Sequence, residues 1–106
     1  MRPLSPELFA LHRVKNILGA YDRWCQGTSF RSRGPLLAPQ RCLGGAITEA
    51  TDDLYLRANL VALVTGVLGE SSIPLWNDAP ERTYADVMDV VERSILAAER
   101  EWAQAA

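Results

Sequence analysis

The sequence predicts an all-α fold, a small irregular four-helix bundle with two long loops, in a single helical domain spanning residues 1–106. Apolar residues recur at helical spacing in the stretches near both ends of the chain. Helix-capping residues precede these stretches, and prolines and glycines concentrate in two connecting segments. A chain of 106 residues, 48% of them hydrophobic, is long enough to bury one core.

The first helix is predicted to begin at Ser5, because serine suits the N-cap, Pro6 the first helical position and Glu7 the first turn. We expect this helix to continue as far as Trp24, with Gly19 as a weak point. Its apolar stripe consists of Leu8, Leu11, Val14, Ile17, Leu18, Tyr21 and Trp24.

The segment 26–40 is predicted to be the first long loop, because it is polar and holds two glycines and two prolines. A short hairpin around Arg33 and Gly34 is the one piece of sheet that the pattern supports. A short second helix is expected from Cys42 to Ala50.

The third helix is predicted to begin after the Thr51-Asp52-Asp53 cap and to end at Leu68, where Gly69 stops it. It is apolar on most sides, so we expect it to be the central element. Its apolar window, 60–68, is far shorter than the roughly 20 residues of a membrane span. The first residues, 1–6, lack the apolar stretch of a secretory signal. We therefore expect no membrane partner.

The segment 70–82 is predicted to be the second long loop, and Thr83 with Asp86 then forms a capping box for the last helix. Asp89 and Arg93 form a supporting pair on the surface of that helix. Its apolar stripe consists of Val87, Val91, Ile95, Ala98 and Trp102.

The net charge of −2 hides an asymmetry, because residues 1–41 carry +5 and residues 42–106 carry −7. A basic N-terminal third with Arg31 and Arg33 as phosphate contacts is one alternative, which would make this a nucleic-acid accessory protein. The favoured interpretation is that the two halves attract each other in the fold or in a homodimer, because surface charge alone is weak evidence for a binding face. The sequence pI of about 5.3 also argues against a nucleic-acid partner.

Three segments contain residue types that rarely gather in one place by chance: 24–27, 41–46 and 76–80. They hold both cysteines, two of the three tryptophans and an Asn-Asp pair, each at an expected helix boundary. Either they line a ligand or partner site, or they form a clasp that pins the loops to the helix ends. The candidate residues are Trp24, Cys25, Cys42, Gly44, Trp76, Asn77 and Asp78.

A thiol enzyme centred on Cys42 is a second alternative, because a helix N-terminus lowers the pKa of a thiol. Such an enzyme needs a base, and His12 is the only histidine. Nothing in the sequence places His12 near Cys42, so we assign no catalytic residue. The favoured interpretation is that the small residues Gly44 and Gly45 let the short helix pack closely.

Metal and cofactor sites are not expected. Cys25 and Cys42 are 17 positions apart and lack the short ligand spacings of zinc sites. No phosphate-binding loop, dinucleotide fingerprint or hydrolase elbow is present. A disulfide between the two cysteines stays open, although reduced thiols in a cytoplasmic protein are favoured.

The three segments resemble a family of small bacterial and bacteriophage proteins with no assigned activity. Its members carry W-C-x-G, C-x-x-G-A/I and W-N-D-x-P elements, with R-T leading into the last helix. Here these elements begin at Trp24, Cys42 and Trp76, and Arg82 and Thr83 follow the third. The resemblance covers most of the chain and implies that the segments belong together. By analogy it also implies a host or phage protein as partner.

These observations together predict a small cytoplasmic binding or regulatory module that acts through protein–protein contacts, an interpretation that we favour over an enzyme. A homodimer is among the partners left open. The thiol enzyme and the nucleic-acid accessory protein are the two alternatives.

Overall fold

The computed structural model describes residues 5–104, which form five α-helices, a 3₁₀ turn at Tyr21–Arg23 and a small antiparallel sheet. The sequence predicts no secretory signal in residues 1–6, and residues 1–4 of that segment lie outside the described residues. The helices and strands are α1 (Pro6–Ile17), β1 (Phe30–Arg31), β2 (Gln40–Arg41), α2 (Leu43–Ala50), α3 (Leu54–Leu68), α4 (Ile73–Asn77) and α5 (Tyr84–Gln104). The fold is therefore mostly helical, with five described helices where the sequence predicted four.

α1 begins where predicted, because the Oγ atom of Ser5 accepts a hydrogen bond of 3.1 Å from the N–H of Leu8. It ends at Ile17, so the prediction that it continues to Trp24 is wrong. Gly19 is a poor helix former and the backbone at Ala20 is extended. Tyr21, expected on the buried stripe, is 77% exposed.

The second predicted loop contains a helix, the five-residue α4. The Oγ atom of Ser72 accepts a hydrogen bond of 3.2 Å from the N–H of Leu75, and Pro74 lies in the first turn. A single turn is too short to show helical periodicity in a sequence, which is why only the cap and the proline mark it.

The core lies between α1, α2 and α5, while α3 packs on one side of it. Only Leu60 and Val64 of α3 are buried, and Leu54 and Tyr55 at its start are exposed. The prediction that α3 is the central element is therefore wrong. A uniformly apolar helix does not reveal which of its sides the fold covers.

Several helix ends agree with the sequence. α2 begins directly after Cys42, and α3 ends at Gly69, whose φ of +71° is left-handed. The N–H of Thr83 donates to Asp86 Oδ2 at 3.0 Å and the N–H of Asp86 donates to Thr83 Oγ1 at 3.2 Å, which confirms the capping box. The N-cap of α3 is Asp53, at the end of the predicted cap.

α5 places its predicted stripe inward. The buried members are Val87, Val91, Ile95 and Ala98, and Trp102 is partly buried against the core. Of the helices in residues 5–104, none is both long enough and apolar enough to cross a membrane.

The two strands pair with Phe30 opposite Arg41 and Arg31 opposite Gln40, and residues 32–39 connect them. We call residues 30–41 the hairpin. It includes Arg33 and Gly34, which confirms the predicted location. Trp24 forms a further parallel bridge to Arg41, so the chain between α1 and α2 folds back on itself.

Candidate functional site

Asn77, the last residue of α4, is fully buried and binds all three of the segments singled out in the sequence. Its Oδ1 atom accepts hydrogen bonds from Trp24 Nε1 at 2.7 Å and from the N–H of Leu43 at 3.0 Å. Its Nδ2 atom donates to the carbonyl oxygen of Cys25 at 3.1 Å and to Asp78 Oδ1 at 3.0 Å. These four bonds use every donor and acceptor of the amide.

Gln26 and Asp78 extend this network to the main chain. Gln26 Nε2 donates to the carbonyl oxygens of Asn77 at 2.9 Å and Ala79 at 2.8 Å. The N–H of Gly27 donates to Asp78 Oδ1 at 2.9 Å. This N–H and the Asn77 amide lower the pKa of Asp78, because both bonds favour the charged carboxylate.

Trp76 fixes the same turn to the core. Its side chain is buried, and the Arg82 guanidinium lies 4.1 Å from the centre of its ring, in a cation–π contact. Arg82 Nε also donates to the carbonyl oxygen of Trp76 at 2.9 Å. Arg82, which follows the third segment, therefore contacts both the indole ring and the main chain of Trp76.

Both cysteines are free and buried. Cys42 is the N-cap of α2, and its Sγ atom accepts a hydrogen bond of 3.2 Å from the N–H of Gly45. The Sγ atom of Cys25 donates to the carbonyl oxygen of Thr28 at 3.5 Å. Burial raises the pKa of the Cys25 thiol, which disfavours the thiolate.

The chain passes close to α2 at Ser29, directly before the hairpin, where it meets Gly45. A Cβ atom at this position would lie 2.1 Å from the carbonyl oxygen of Ser29, so only glycine fits. A Cβ atom at Gly44 would meet nothing closer than 3.8 Å. The requirement for a small residue therefore falls on Gly45, although Gly44 was the candidate named from the sequence.

His12 is not part of this network. It is exposed on α1, and within residues 5–104 no hydrogen bond joins it to Cys42. The structure therefore joins Trp24, Cys25, Asn77 and Asp78 by hydrogen bonds and leaves His12 outside. Trp76 is the chain neighbour of Asn77, and Cys42 that of Leu43, which also bonds to Asn77. Gly44 lies beside Cys42. Among the described residues no group of three or more histidine, cysteine or acidic side chains is placed to hold a metal ion.

The two arginines expected to contact phosphate bind the protein's own oxygens. Arg31 donates to the carbonyl oxygen of Gln26 at 3.2 Å. Arg33 donates to the carbonyl oxygen of Ala38 at 2.8 Å and pairs with Asp22 at 3.4 Å. Arg33 thus ties one side of the hairpin to the other and to the 3₁₀ turn.

A second set of contacts fixes the base of the hairpin. Gln40 Nε2 donates to the carbonyl oxygen of Asp22 at 2.9 Å. The Arg41 guanidinium lies 5.2 Å from the centre of the Phe30 ring and 3.7 Å from a carboxylate oxygen of Glu49. The hairpin is therefore held at its base and across its middle.

The hairpin tip, which we define as Leu36 and Leu37, is exposed. Leu36 is 93% exposed and Leu37 is 56% exposed, between Pro35 and Pro39. Two adjacent leucines between prolines in an otherwise polar loop are a sequence signal for an exposed apolar contact surface.

A model of a family of unknown function, DUF6197, matches residues 5–97 of this chain, a range that includes all three segments and the hairpin. The chain belongs to this family. No curated protein and no solved structure matches it.

Sequence reasoning missed several residues that complete the cluster in this DUF6197 protein. Gln26 and Gly27 lie inside the first segment, and Arg82 lies just after the third, yet none was named as a candidate. Their bonds join positions more than fifty apart for Gln26 and Gly27, so local patterns do not reveal them. We call the cluster of Trp24, Cys25, Gln26, Cys42, Trp76, Asn77 and Asp78 the clasp; Cys42 and Trp76 belong to it as the chain neighbours of Leu43 and Asn77.

Proposed function

We propose that this protein is a binding module that acts through protein–protein contacts, and that the hairpin tip is its contact surface. The observation that carries the proposal is a contrast between the clasp and the hairpin tip. The polar groups of the clasp are engaged in hydrogen bonds within the protein, whereas Leu36, on the loop that the clasp supports, is 93% exposed.

The clasp supports a structural role better than a catalytic one. A catalytic group needs a lone pair or a proton that is free to meet a substrate. The amide of Asn77 has none left, and the Cys42 sulfur already accepts the N–H of Gly45. The thiol-enzyme alternative therefore has little support, because no base within residues 5–104 hydrogen-bonds to Cys42.

The hairpin is suited to binding because it is already ordered. Arg33 bonds across the loop to Ala38 and pairs with Asp22, and the two prolines restrict the backbone on either side of the tip. A preorganised loop loses little conformational entropy when it binds, so more of its contact energy appears as affinity.

The charges around the tip indicate the chemistry of the partner. Arg33 and Arg41 are paired with Asp22 and Glu49, which leaves Arg31 as the hairpin cation without a carboxylate among the described residues. The matching surface is an apolar pocket with a carboxylate at its edge. Burying each leucine side chain there would contribute about 1.5–3 kcal/mol.

A nucleic-acid role has less support. Phosphate binding depends on cations that are free to neutralise the backbone. Of the two arginines expected to contact phosphate, Arg33 is paired with Asp22, which leaves Arg31 as a single hairpin cation, whereas tight binding of a phosphate backbone needs several.

We place the module in the cytoplasm, because both cysteines are free, as is usual for thiols in a reducing compartment. From the resemblance to bacterial and bacteriophage proteins, we infer that the partner is a bacterial or phage protein and that binding regulates it.

Site-specific photo-crosslinking with competition tests the proposal. The photo-reactive residue p-benzoylphenylalanine replaces Leu36 in one variant and Leu75 in a matched control, since Leu75 is a comparably exposed leucine on α4. In extract of the source organism, the variant at position 36 is expected to form a discrete protein adduct that the control does not form.

Competition decides whether the adduct reports the hairpin tip. Excess unlabelled wild-type protein should suppress the adduct, whereas excess protein carrying Leu36→Asp and Leu37→Asp should not. Both leucines are exposed, so these substitutions leave the core intact. Equal suppression by the two competitors, or the same adducts from positions 36 and 75, would contradict the proposal.

A further inference from the structure

A cleft lies between α1 and the start of α3, at the end of α2 that is farther from the clasp. Its volume is about 640 Å³, within the range of roughly 300–1,000 Å³ that is typical of ligand sites. The residues that matter for its chemistry are Phe9, Ala10, Arg13, Ala50, Asp52 and Leu56.

Apolar and polar groups both line the cleft, and its apolar part comes from α1, α2 and α3. Ala10 and Ala50 are buried and too small to fill the space above them, and Leu56 is partly buried against the core. Phe9 is 59% exposed, which leaves a large aromatic surface in contact with water. An apolar group placed here would cover Phe9 and Leu56 together.

Two opposite charges line the same cleft. Arg13 belongs to α1, and Asp52 precedes α3. Within residues 5–104 neither side chain forms a salt bridge or a hydrogen bond. By contrast, Lys15 on the same helix pairs with Glu92 at 2.6 Å. The cleft thus combines an apolar surface with one cation and one anion that the fold does not neutralise.

We propose that this cleft binds a peptide segment of a partner protein in which apolar side chains lie between an acidic and a basic residue. The acidic residue would pair with Arg13 and the basic residue with Asp52, while the apolar side chains cover Phe9 and Leu56. Charge complementarity favours this occupant over a nucleic acid, because the Asp52 carboxylate repels phosphate.

The open shape of the cleft favours a peptide over a small molecule. Small-molecule sites enclose most of the ligand surface, whereas the exposed Phe9 ring leaves this cleft accessible from outside. A peptide chain can bind such a cleft with a few residues while the rest of the chain extends out through the open side.

The cleft and the hairpin are separate surfaces. Cys42 of the clasp caps the first end of α2 and Ala50 at the other end lines the cleft. Ala50 lies eight positions after Cys42, a distance of about 12 Å along the axis. Binding in the cleft is therefore expected to be independent of the hairpin tip.

Fluorescence anisotropy with two labelled, end-blocked peptides tests the proposal. Both contain two adjacent leucines, flanked by glutamate before and lysine after in one peptide and by the reverse order in the other. The wild-type protein is expected to bind one order about threefold to fivefold more tightly, because the two charges belong to different parts of the cleft, Arg13 to α1 and Asp52 to the segment before α3. Phe9→Ala should weaken both peptides about tenfold.

Charge reversal makes the test specific. The double variant Arg13→Glu with Asp52→Lys is expected to prefer the opposite peptide order. Arg100→Glu and Leu75→Ala are matched exposed controls that should bind like the wild type. The variant with Leu36→Asp and Leu37→Asp should also bind like the wild type, so that this proposal and the hairpin proposal can fail separately.

Absence of binding by both peptides would overturn the proposal. The same conclusion follows if the double charge reversal leaves the preferred order unchanged, or if Leu75→Ala weakens binding as much as Phe9→Ala does. Circular dichroism spectra that match the wild type would show that each variant is folded.

Discussion

Asn77 joins parts of the chain that lie far apart in sequence, since its side chain bonds to Trp24, Cys25 and Leu43. Without the amide, the N–H of Leu43 and the carbonyl oxygen of Cys25 would be buried with no partner. Each unsatisfied buried group costs about 1–3 kcal/mol. Removing this one side chain therefore lowers the free energy of unfolding through several groups at once.

Replacing Asn77 by alanine is therefore expected to lower the free energy of unfolding by about 3 kcal/mol or more. Urea denaturation measures this change. Asn59→Ala is the matched control, because Asn59 is exposed and its one bond, to Glu7, is 3.4 Å long. The control should lose less than about 0.5 kcal/mol. Similar losses in the two variants would mean that Asn77 does not hold the clasp together.

The thiols should react slowly in the folded protein. Cys25 and Cys42 are buried, and burial raises the pKa of Cys25. At neutral pH, alkylation by iodoacetamide is expected to be at least about 100-fold slower than in the urea-unfolded chain, because it requires opening of the structure. Mass spectrometry of the two cysteine peptides measures both rates. Rapid native labelling of Cys42 would instead support the thiol-enzyme alternative.

Asp78 is expected to make stability depend on pH. Its pKa is lowered in the folded protein by the Gly27 N–H and the Asn77 amide. Its contribution is therefore present above the unfolded pKa of about 3.9 and is lost as the pH falls through the lower folded value.

Asp78→Asn should remove this contribution. The stability difference between the wild type and the variant is expected to be largest near neutral pH and to shrink below about pH 4. Urea midpoints at a series of pH values measure it. A difference that stays constant from pH 7 down to pH 2 would be inconsistent with the role given to the carboxylate.

At the scale of elements, the segment that leads into the hairpin and α2 approach each other so closely that one position admits only glycine. Gly45→Ala would place a Cβ atom 2.1 Å from the carbonyl oxygen of Ser29, so Ser29 must move away from α2. We expect a loss of about 1–3 kcal/mol in the free energy of unfolding.

Gly66→Ala is the matched control for Gly45→Ala. Gly66 lies in α3 with no atom within 4 Å of an added Cβ, and its φ is not positive. This substitution should stabilise the protein by about 0.5–1 kcal/mol, since alanine favours helix more than glycine does. Thermal unfolding of both variants provides the comparison, and a stabilising effect of Gly45→Ala would contradict the close packing of these elements.

Elements that depend on local signals could be predicted from the sequence. Thr83 and Asp86 form their capping box within four positions, and Gly69 ends α3 by its own backbone conformation. The place of α3 at the side of the core depends on how helices pack, which an apolar pattern alone does not specify. The role of Asn77 depends on partners 34 to 53 positions away, and local sequence does not show them.

For the molecule as a whole, the charge asymmetry of the sequence has a partial counterpart in the fold. Lys15 pairs with Glu92 at 2.6 Å and Arg41 with Glu49 at 3.7 Å, so basic residues of the first part contact acidic residues of the second. The acidic partners are exposed, and such pairs contribute little, about 0–1 kcal/mol each. Stability therefore depends mainly on the core and the clasp.

At this scale, the resemblance of the three segments to one family implied that they belong together, and the side chain of Asn77 hydrogen-bonds to residues of the other two segments. Neither the resemblance nor the residues themselves were sufficient to predict what the unit does. The exposure of Leu36 and the bonds within the clasp are properties of the folded chain, and together they favour a binding surface supported by a rigid base.

Amide hydrogen exchange in the Asn77→Ala variant tests the relation between the clasp and the hairpin most directly. In the wild type the N–H groups of Cys25 and Cys42 donate to Arg41 and Ser29 and should be protected. In the variant we expect both to exchange nearly as fast as in an unfolded chain, while core amides of α5 remain protected. If Cys25 and Cys42 kept their wild-type protection, or lost it only in parallel with α5, the clasp would not be what holds the hairpin.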